Sequence, residues 1–122
     1  MAVTLPGTPE TRHLLDADAI DTMKPGAYFV NVGRGSVVDE GALVDALQRG
    51  HLSGAALDVF EVEPLPQESP LWELENVIVS PHATDMVPSI INKRQTDLFC
   101  ENLRRYLDGD SLVNVLDKQL LY

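Results

Sequence analysis

The chain is short of cysteine, of basic residues and of long apolar runs, and each shortage removes a class of protein. Cys100 is its single cysteine, so no internal disulfide can form and no thiolate zinc site can be built. Such usage fits a reducing compartment, and a cytoplasmic location is expected. Nine Lys and Arg stand against 19 Asp and Glu, a formal charge of −10 with a pI near 4.5. A polyanion of that sign repels phosphate backbones, so nucleic acid is not an expected partner. No apolar run approaches the ~20 residues that span a bilayer, so no membrane association is expected. The opening Met1-Ala2-Val3-Thr4-Leu5-Pro6 has neither the basic start nor the apolar length of a signal peptide. No spacing of His, Cys and carboxylates supports a metal site, and none is expected.

What is present is the balance of a globular domain. Hydrophobic residues make up 44% and charged residues 23% of the 122, a length that fits one small domain. Three short runs are continuously apolar: Tyr28 to Val32, Gly54 to Val59 and Val77 to Ser80. They predict parallel strands covered on both faces. Ala2 to Leu5 reads as the tail of a fourth. Helical stretches lie between them. Asp16 to Met23 is a short helix with Asp16 as N-cap and Pro25-Gly26 as stop. Asp39 to Arg49 is a clearer one, with Asp39 as cap, Leu43, Val44 and Leu47 on one face, and Gly50 after its end. The longest is predicted from about Pro88 to Leu107, with Asp85 as its cap. Its apolar stripe runs through Val87, Ile91, Leu98, Phe99, Leu103, Tyr106 and Leu107. The tail from Ser111 to Tyr122 is apolar enough to need a packing partner.

Strands alternating with helices over short joints imply βαβ units, and therefore an α/β fold with a parallel sheet. Ligands in such sheets gather beyond the carboxyl ends of the strands. Arg34, Asp58 and His82 follow three successive strands at intervals of 24 residues. Parallel pairing would bring all three to one sheet edge, with Glu63 in the loop after Asp58 able to swing toward His82. An arginine between two glycines is sterically open and can clamp a carboxylate through two hydrogen bonds. A histidine held by a glutamate has its ring fixed and its charged form favoured, which makes a proton donor. That set suits reduction of a 2-keto acid: arginine binds the acid, histidine protonates the carbonyl, and a nicotinamide supplies hydride. The overall charge opposes an anionic substrate at long range, so binding must be local, through Arg34. His13 and His51 read as a surface-loop and a helix-end residue, Cys100 as a packed or half-exposed thiol. Trp72 reads as the anchor of the loop before the third strand.

On these residues the chain resembles the D-isomer-specific 2-hydroxyacid dehydrogenases, a family that includes glyoxylate/hydroxypyruvate reductases. The resemblance is carried by Thr4 to Thr11, by Met23 to Ala27 with Asn31 to Glu40, by Ala56 to Pro64, and by Asn76 to His82. It implies half of a Rossmann-type parallel sheet with flanking helices, plus a long C-terminal helix and tail. Residues 1–86 would be the C-terminal half of an NAD(P)-binding domain. Residues 87–122 would be the linking helix and C-terminal tail of a substrate-binding domain. Arg34, Glu63 and His82 match the family's catalytic positions. Leu5, Pro6, Thr11, Val32, Gly33, Arg34, Asp58, His82 and Thr84 match positions that line NAD or NADP. The implied partners are a small 2-keto or 2-hydroxy acid, with glyoxylate or hydroxypyruvate favoured, and a second copy in a homodimeric parent. Glu63 separates the chain from the formate dehydrogenase branch, and Ala83-Thr84-Asp85-Met86 departs from the family's usual small residues. No G-x-G-x-x-G occurs in these 122 residues. The resemblance therefore implies part of an oxidoreductase whose pyrophosphate cradle lies elsewhere. The alternative is a truncated, inactive relative that serves as a protein-interaction module.

Overall fold

The computed structural model of the chain describes residues 1–83 and 87–120. It divides into two compact units, Met1–Ala83 and Thr84–Tyr122.

The first unit is built on a four-stranded sheet, β1 (Ala2–Val3), β2 (Ala27–Asn31), β3 (Leu52–Leu57) and β4 (Val77–Val79). Neighbours in space are neighbours in sequence, and every pair is parallel. The predicted strands are all present. Val32, Val59 and Ser80 fall just past the strand ends, in the turns that carry the site. Helix α1 (Ala17–Asp21) starts where the side chain of Asp16 accepts the Ala19 N–H at 2.9 Å. Helix α2 (Glu40–Gln48) starts in the same way, with Asp39 accepting the Ala42 N–H at 3.0 Å. Each cap satisfies an amide that the first helical turn leaves without a partner. Gly50 follows α2 with φ of 71°, a left-handed conformation that costs glycine little. Arg49 reaches from the end of α2 to Asp21 of α1.

Helix α1 contributes Ile20 to the core, and α2 contributes Leu43, Ala46 and Leu47. They meet Phe29, Leu52, Ala55 and Leu57 of the sheet in one buried cluster. Removal of this carbon surface from water is the main force holding the unit together. The expectation that both sheet faces are covered is corrected. Tyr28 is 69% exposed and Ile78 71%, whereas Phe29 is fully buried. Both helices serve the Phe29 face, and among the described residues of this unit nothing covers the Tyr28 face. A continuous apolar run in the sequence does not distinguish the two faces.

The second unit is the long helix α3 (Pro88–Asp108) and the tail. Its N-cap position is Val87, with Pro88 in the first turn, and Gly109 ends it at φ of 77°. Asp85, read as the cap, lies outside the described residues. No residue of α3 is fully buried, and Phe99, Tyr106 and Leu107 are largely exposed. The tail is tied back to the helix at Ser111, whose carbonyl accepts Arg105 Nη1 at 3.2 Å, and at Val113. Asn102 accepts the Val113 N–H at 2.9 Å and donates to the Val113 carbonyl at 3.0 Å. No helix among the described residues is long and apolar enough to cross a membrane.

Candidate active site

Parallel register places the three strand ends side by side. Arg34 lies just beyond β2, Asp58 directly after β3, and His82 just beyond β4. The turn after β2 is shaped by Asn31, whose side chain is buried inside an otherwise apolar strand. Its carbonyl oxygen accepts the Gly33 N–H at 3.0 Å, and its amide donates to the Arg34 carbonyl at 3.2 Å. One side chain thus sets the three residues that present Arg34. The sequence reading passed over Asn31, although a polar residue closing an apolar run was the available signal.

Arg34 is exposed, as an arginine between two glycines was expected to be, but the glycines have a further role. They make room for the chain itself. A Cβ on Gly33 would fall 2.7 Å from the Leu5 carbonyl oxygen, and one on Gly35 would fall 1.9 Å from that of Phe60. The loop carrying Glu63 therefore crosses Gly35 at backbone contact distance. Arg34 is exposed, and its Nη1 donates to the Gly33 carbonyl at 2.9 Å. Among the described residues no carboxylate forms an ion pair with it.

Glu63 and His82 meet. His82 Nδ1 lies 2.8 Å from Glu63 Oε2, and Glu63 Oε1 accepts the Phe60 N–H at 3.0 Å. These two bonds, His82 first, hold the Glu63 carboxyl below its ordinary range, and the charges of His82 and Arg34 add to the effect. An ionised carboxylate only accepts hydrogen bonds, so Nδ1 carries the donated proton. Nε2 is then the nitrogen left to exchange a proton with a ligand. His82 itself sits at φ of 54°, an uncommon conformation for a non-glycine residue. Its turn is held by the His82 N–H on the Ser80 carbonyl at 3.0 Å, and by the Ala83 N–H on Asp58 Oδ1 at 2.8 Å. Asp58 is buried, so it reaches the His82 loop through a fixed carboxylate.

The Thr4–Thr11 segment borders the same edge. Thr11 Oγ1 donates to the Pro6 carbonyl at 2.8 Å and accepts the Thr8 N–H at 2.8 Å, so its hydroxyl winds the turn on itself. Leu5 and Val32 stay 40% and 38% exposed, carbon surface at the ends of the first two strands. Thr84 lies outside the described residues.

His13 lies in a turn and is half-exposed, as read, and it has a specific partner there. Its Nε2 lies 2.6 Å from Glu61 Oε1, which also accepts Arg12 Nη2 at 3.1 Å. The Glu61 N–H in turn donates to Glu40 Oε2 at 3.1 Å. Residues 48 positions apart thereby fasten the Thr8–Thr11 turn to the loop that holds Glu63. His51, read as serving the end of α2, instead places Nε2 3.2 Å from the Ile20 carbonyl of α1. Trp72 does anchor its loop, its indole donating to the Pro66 carbonyl at 2.8 Å. Cys100 is half-exposed. Among the described residues no group of three or more His, Cys, Asp or Glu is placed to hold a metal ion.

A parallel sheet with its ligand-facing groups at the strand carboxyl ends defines a Rossmann-type α/β unit. Comparison with known proteins narrows that class. The family described as D-isomer specific 2-hydroxyacid dehydrogenase, NAD binding domain, matches residues 1–84. The chain belongs to this family. It is 42% identical over 124 residues to the glyoxylate/hydroxypyruvate reductase B of Pectobacterium carotovorum subsp. carotovorum, covering 99% of this chain and 38% of that protein. It is 40% identical to the glyoxylate reductase of Thermofilum pendens, covering 99% of this chain and 35% of that one. Among solved structures, the D-isomer specific 2-hydroxyacid dehydrogenase of Xanthobacter autotrophicus Py2, in complex with NADPH and MES, superposes with a TM-score of 0.87 at 47% identity. That match covers 99% of this chain and 49% of the other. The NADPH-dependent glyoxylate/hydroxypyruvate reductase of Sinorhizobium meliloti, in complex with NADP and sulfate, gives 0.84 at 34% identity, with 99% and 39% covered. The chain thus spans well under half the length of the curated relatives it matches.

Proposed function

We propose that the chain carries the proton-donating and carboxylate-binding part of an NAD- or NADP-dependent oxidoreductase acting on a small 2-keto or 2-hydroxy acid. One observation carries this reading: His82 and Glu63 are paired at 2.8 Å on a sheet edge where Arg34 is exposed without a carboxylate partner among the described residues. Glu63 holds the ring and fixes the proton of Nδ1, which leaves Nε2 to give a proton to a substrate carbonyl oxygen. Arg34 binds the substrate carboxylate through its planar fork and draws electron density from the adjacent carbonyl. Asp58 and Asn31 hold the two turns that present these groups.

The chain fits the nicotinamide end of a dinucleotide. Leu5 and Val32 offer carbon surface beside Gly33 and the buried Asp58, at the edge where such ligands gather. With the reduced cofactor bound, the chemistry it supplies is the hydride. The pyrophosphate end needs a glycine-rich turn at a helix N-terminus, and no G-x-G-x-x-G occurs in these residues. Glyoxylate and hydroxypyruvate are the acids named on the relatives, and they are the first substrates to test. Residues 1–86 are assigned to the C-terminal half of the NAD(P)-binding domain and residues 87–122 to the linking helix and tail. A homodimer and a cytoplasmic location complete the proposal.

The test is a titration of the chain with NADH and NADPH, followed by nicotinamide fluorescence, and then addition of glyoxylate or hydroxypyruvate. Consumption of the reduced nicotinamide by the chain alone would mean that the glycine-rich turn is dispensable or supplied by another copy, and in a protein that includes that turn His82→Ala is expected to slow turnover about 10²–10⁴-fold. Turnover that survives His82→Ala rejects the assignment. A folded chain that neither binds nicotinamide nor turns over would favour the second reading, an interaction module. Exposed Tyr28 and Ile78 on the open sheet face speak for that one.

A further inference from the structure

We infer that Glu61 is a positioning residue: by tying its loop to the turn at residues 8–13 and to the start of α2, it sets the geometry at which Glu63 meets His82. The inference rests on the reading of that pair as the proton donor. The pair does not hold itself in place. The side chains of His82 and Glu63 are 43% and 35% exposed, and an ion pair open to water contributes little on its own. Regular structure does not hold the Glu63 side either, because residues 58–69 form neither helix nor strand. The loop must be fixed from outside for Nδ1 to meet Oε2 at 2.8 Å.

Glu61 follows Phe60, whose N–H holds Glu63 Oε1. It bonds in two directions. Its N–H donates to Oε2 of Glu40, the first residue of α2, at 3.1 Å. Its Oε1 accepts Arg12 Nη2 at 3.1 Å and lies 2.6 Å from His13 Nε2. The turn that carries Arg12 and His13 is itself fixed. The His13 N–H donates to the Ser36 carbonyl at 2.8 Å, the Leu15 N–H to the Val37 carbonyl at 3.0 Å, and the Asp39 N–H to the Leu15 carbonyl at 3.0 Å. His13 sits at φ of 49°, a conformation that a non-glycine residue keeps only where its surroundings impose it. Anchored at its backbone on one element and at its carboxylate on another, Glu61 leaves the peptide that joins it to Phe60 little freedom to rotate. The Phe60 N–H lies one peptide upstream, so the direction in which it offers its hydrogen to Glu63 is set by the same ties.

Charge and positioning predict opposite signs. Loss of a neighbouring carboxylate lowers the proton affinity of Glu63, whereas loss of the ties weakens the bonds to its charged form and raises it. Glu61→Gln and Glu61→Ala both remove the charge, and only the first keeps an oxygen and a side chain of the same length for Arg12. Both variants of the 122-residue chain, checked for fold by circular dichroism, are compared by Glu63 carboxyl ¹³C titration and by the ¹⁵N shifts of the neutral His82 ring. Glu63 is expected to titrate higher in Glu61→Ala than in Glu61→Gln. The His82 ring is expected to pass from one Nδ1–H form in the unaltered chain to a mixture of tautomers in Glu61→Ala, with Glu61→Gln close to the unaltered chain. A fall in urea midpoint with both signatures alike in the two variants overturns the inference, because Glu61 is then only a brace. Signatures and stability alike in both also overturn it, because the buried Phe60 then holds the loop by itself. Glu40→Ala against Glu40→Gln makes the same comparison at the other anchor if Glu61→Ala does not fold, with the same order expected and equal signatures again overturning the inference. An unaltered chain in which His82 has no preferred Nδ1–H form overturns the inference and the proton-donor reading together.

Discussion

Glu63 uses its two carboxylate oxygens for two different partners: Oε2 lies 2.8 Å from Nδ1 of His82, and Oε1 accepts the Phe60 N–H at 3.0 Å. The second bond fixes the carboxylate to its own loop, so the first fixes the imidazole. Both hold the Glu63 carboxyl below its ordinary value of 4.5, His82 more strongly. In a pH titration followed by carboxyl ¹³C shifts, Glu63 is expected to titrate below that value and to climb back toward it in His82→Gln. A folded carboxyl depressed below its unfolded value contributes stability that is complete above the unfolded value and is lost as pH falls through the folded one. Acidification from about pH 4.5 downward should therefore cost the unaltered chain more unfolding free energy than Glu63→Gln. Parallel curves for the two proteins in urea melts would count against the pairing.

Arg34→Lys tests the clamp. A lysine keeps the charge and loses the planar fork that bonds a carboxylate at two points. The KM for glyoxylate is expected to rise about ten- to hundredfold, with nicotinamide binding nearly unchanged. A steady-state assay across substrate concentrations measures it, and an unaltered KM removes Arg34 from the carboxylate.

Much of this was legible from the order of residues, and the remainder has physical reasons for staying hidden. The strands around Phe29, Ala55 and Ile78 stand out because each is a continuously apolar run. The caps at Asp16 and Asp39 stand out because a short acceptor before a helix has a local task. Equal spacing of Arg34, Asp58 and His82 translates directly into one sheet edge once the strands pair in sequence order. The link of His13 to Glu61 has no such periodicity, since its ends are 48 residues apart and only the fold joins them. The open Tyr28 face was equally invisible, because exposure depends on what packs against a strand and not on the strand itself. The close backbone approach at Gly33 and Gly35 stays hidden for a related reason. A glycine looks alike in sequence whether it makes room for a ligand or for a neighbouring backbone.

Asp39→Ala removes the acceptor that caps α2, 3.0 Å from the Ala42 N–H. Loss of such a cap costs about 1 kcal/mol. Because α2 supplies Leu43, Ala46 and Leu47 to the core, the whole first unit should feel the change. The urea midpoint is expected to fall by an amount that matches this cost at an unchanged slope. A drop below about 0.3 kcal/mol would show that another group satisfies the amide.

Gly35 and Gly41 give substitutions of the same kind with opposite expected signs. A Cβ on Gly41, inside α2, would meet nothing nearer than Asp39 Oδ1 at 3.4 Å, an ordinary contact. Gly41→Ala therefore removes backbone freedom from the unfolded chain at no steric cost. It is expected to raise stability by about 0.5–1 kcal/mol. A Cβ on Gly35 would lie 1.9 Å from the Phe60 carbonyl oxygen, 2.0 Å from its carbon and 2.6 Å from the Glu61 nitrogen. These are backbone atoms and cannot rotate away, so the Phe60–Glu61 segment must move as a body. Gly35→Ala is expected to destabilise by about 2–4 kcal/mol. The segment that moves includes the Phe60 N–H holding Glu63 Oε1 and the Glu61 N–H bonded to Glu40. In whatever fraction stays folded, the Glu63 titration should therefore shift upward, as in His82→Gln. Stability loss without that shift would mean that the loop relocates as a unit and keeps the Glu63–His82 pair. Stability equal to that of Gly41→Ala would mean that the crossing at Gly35 is looser than its backbone contacts imply.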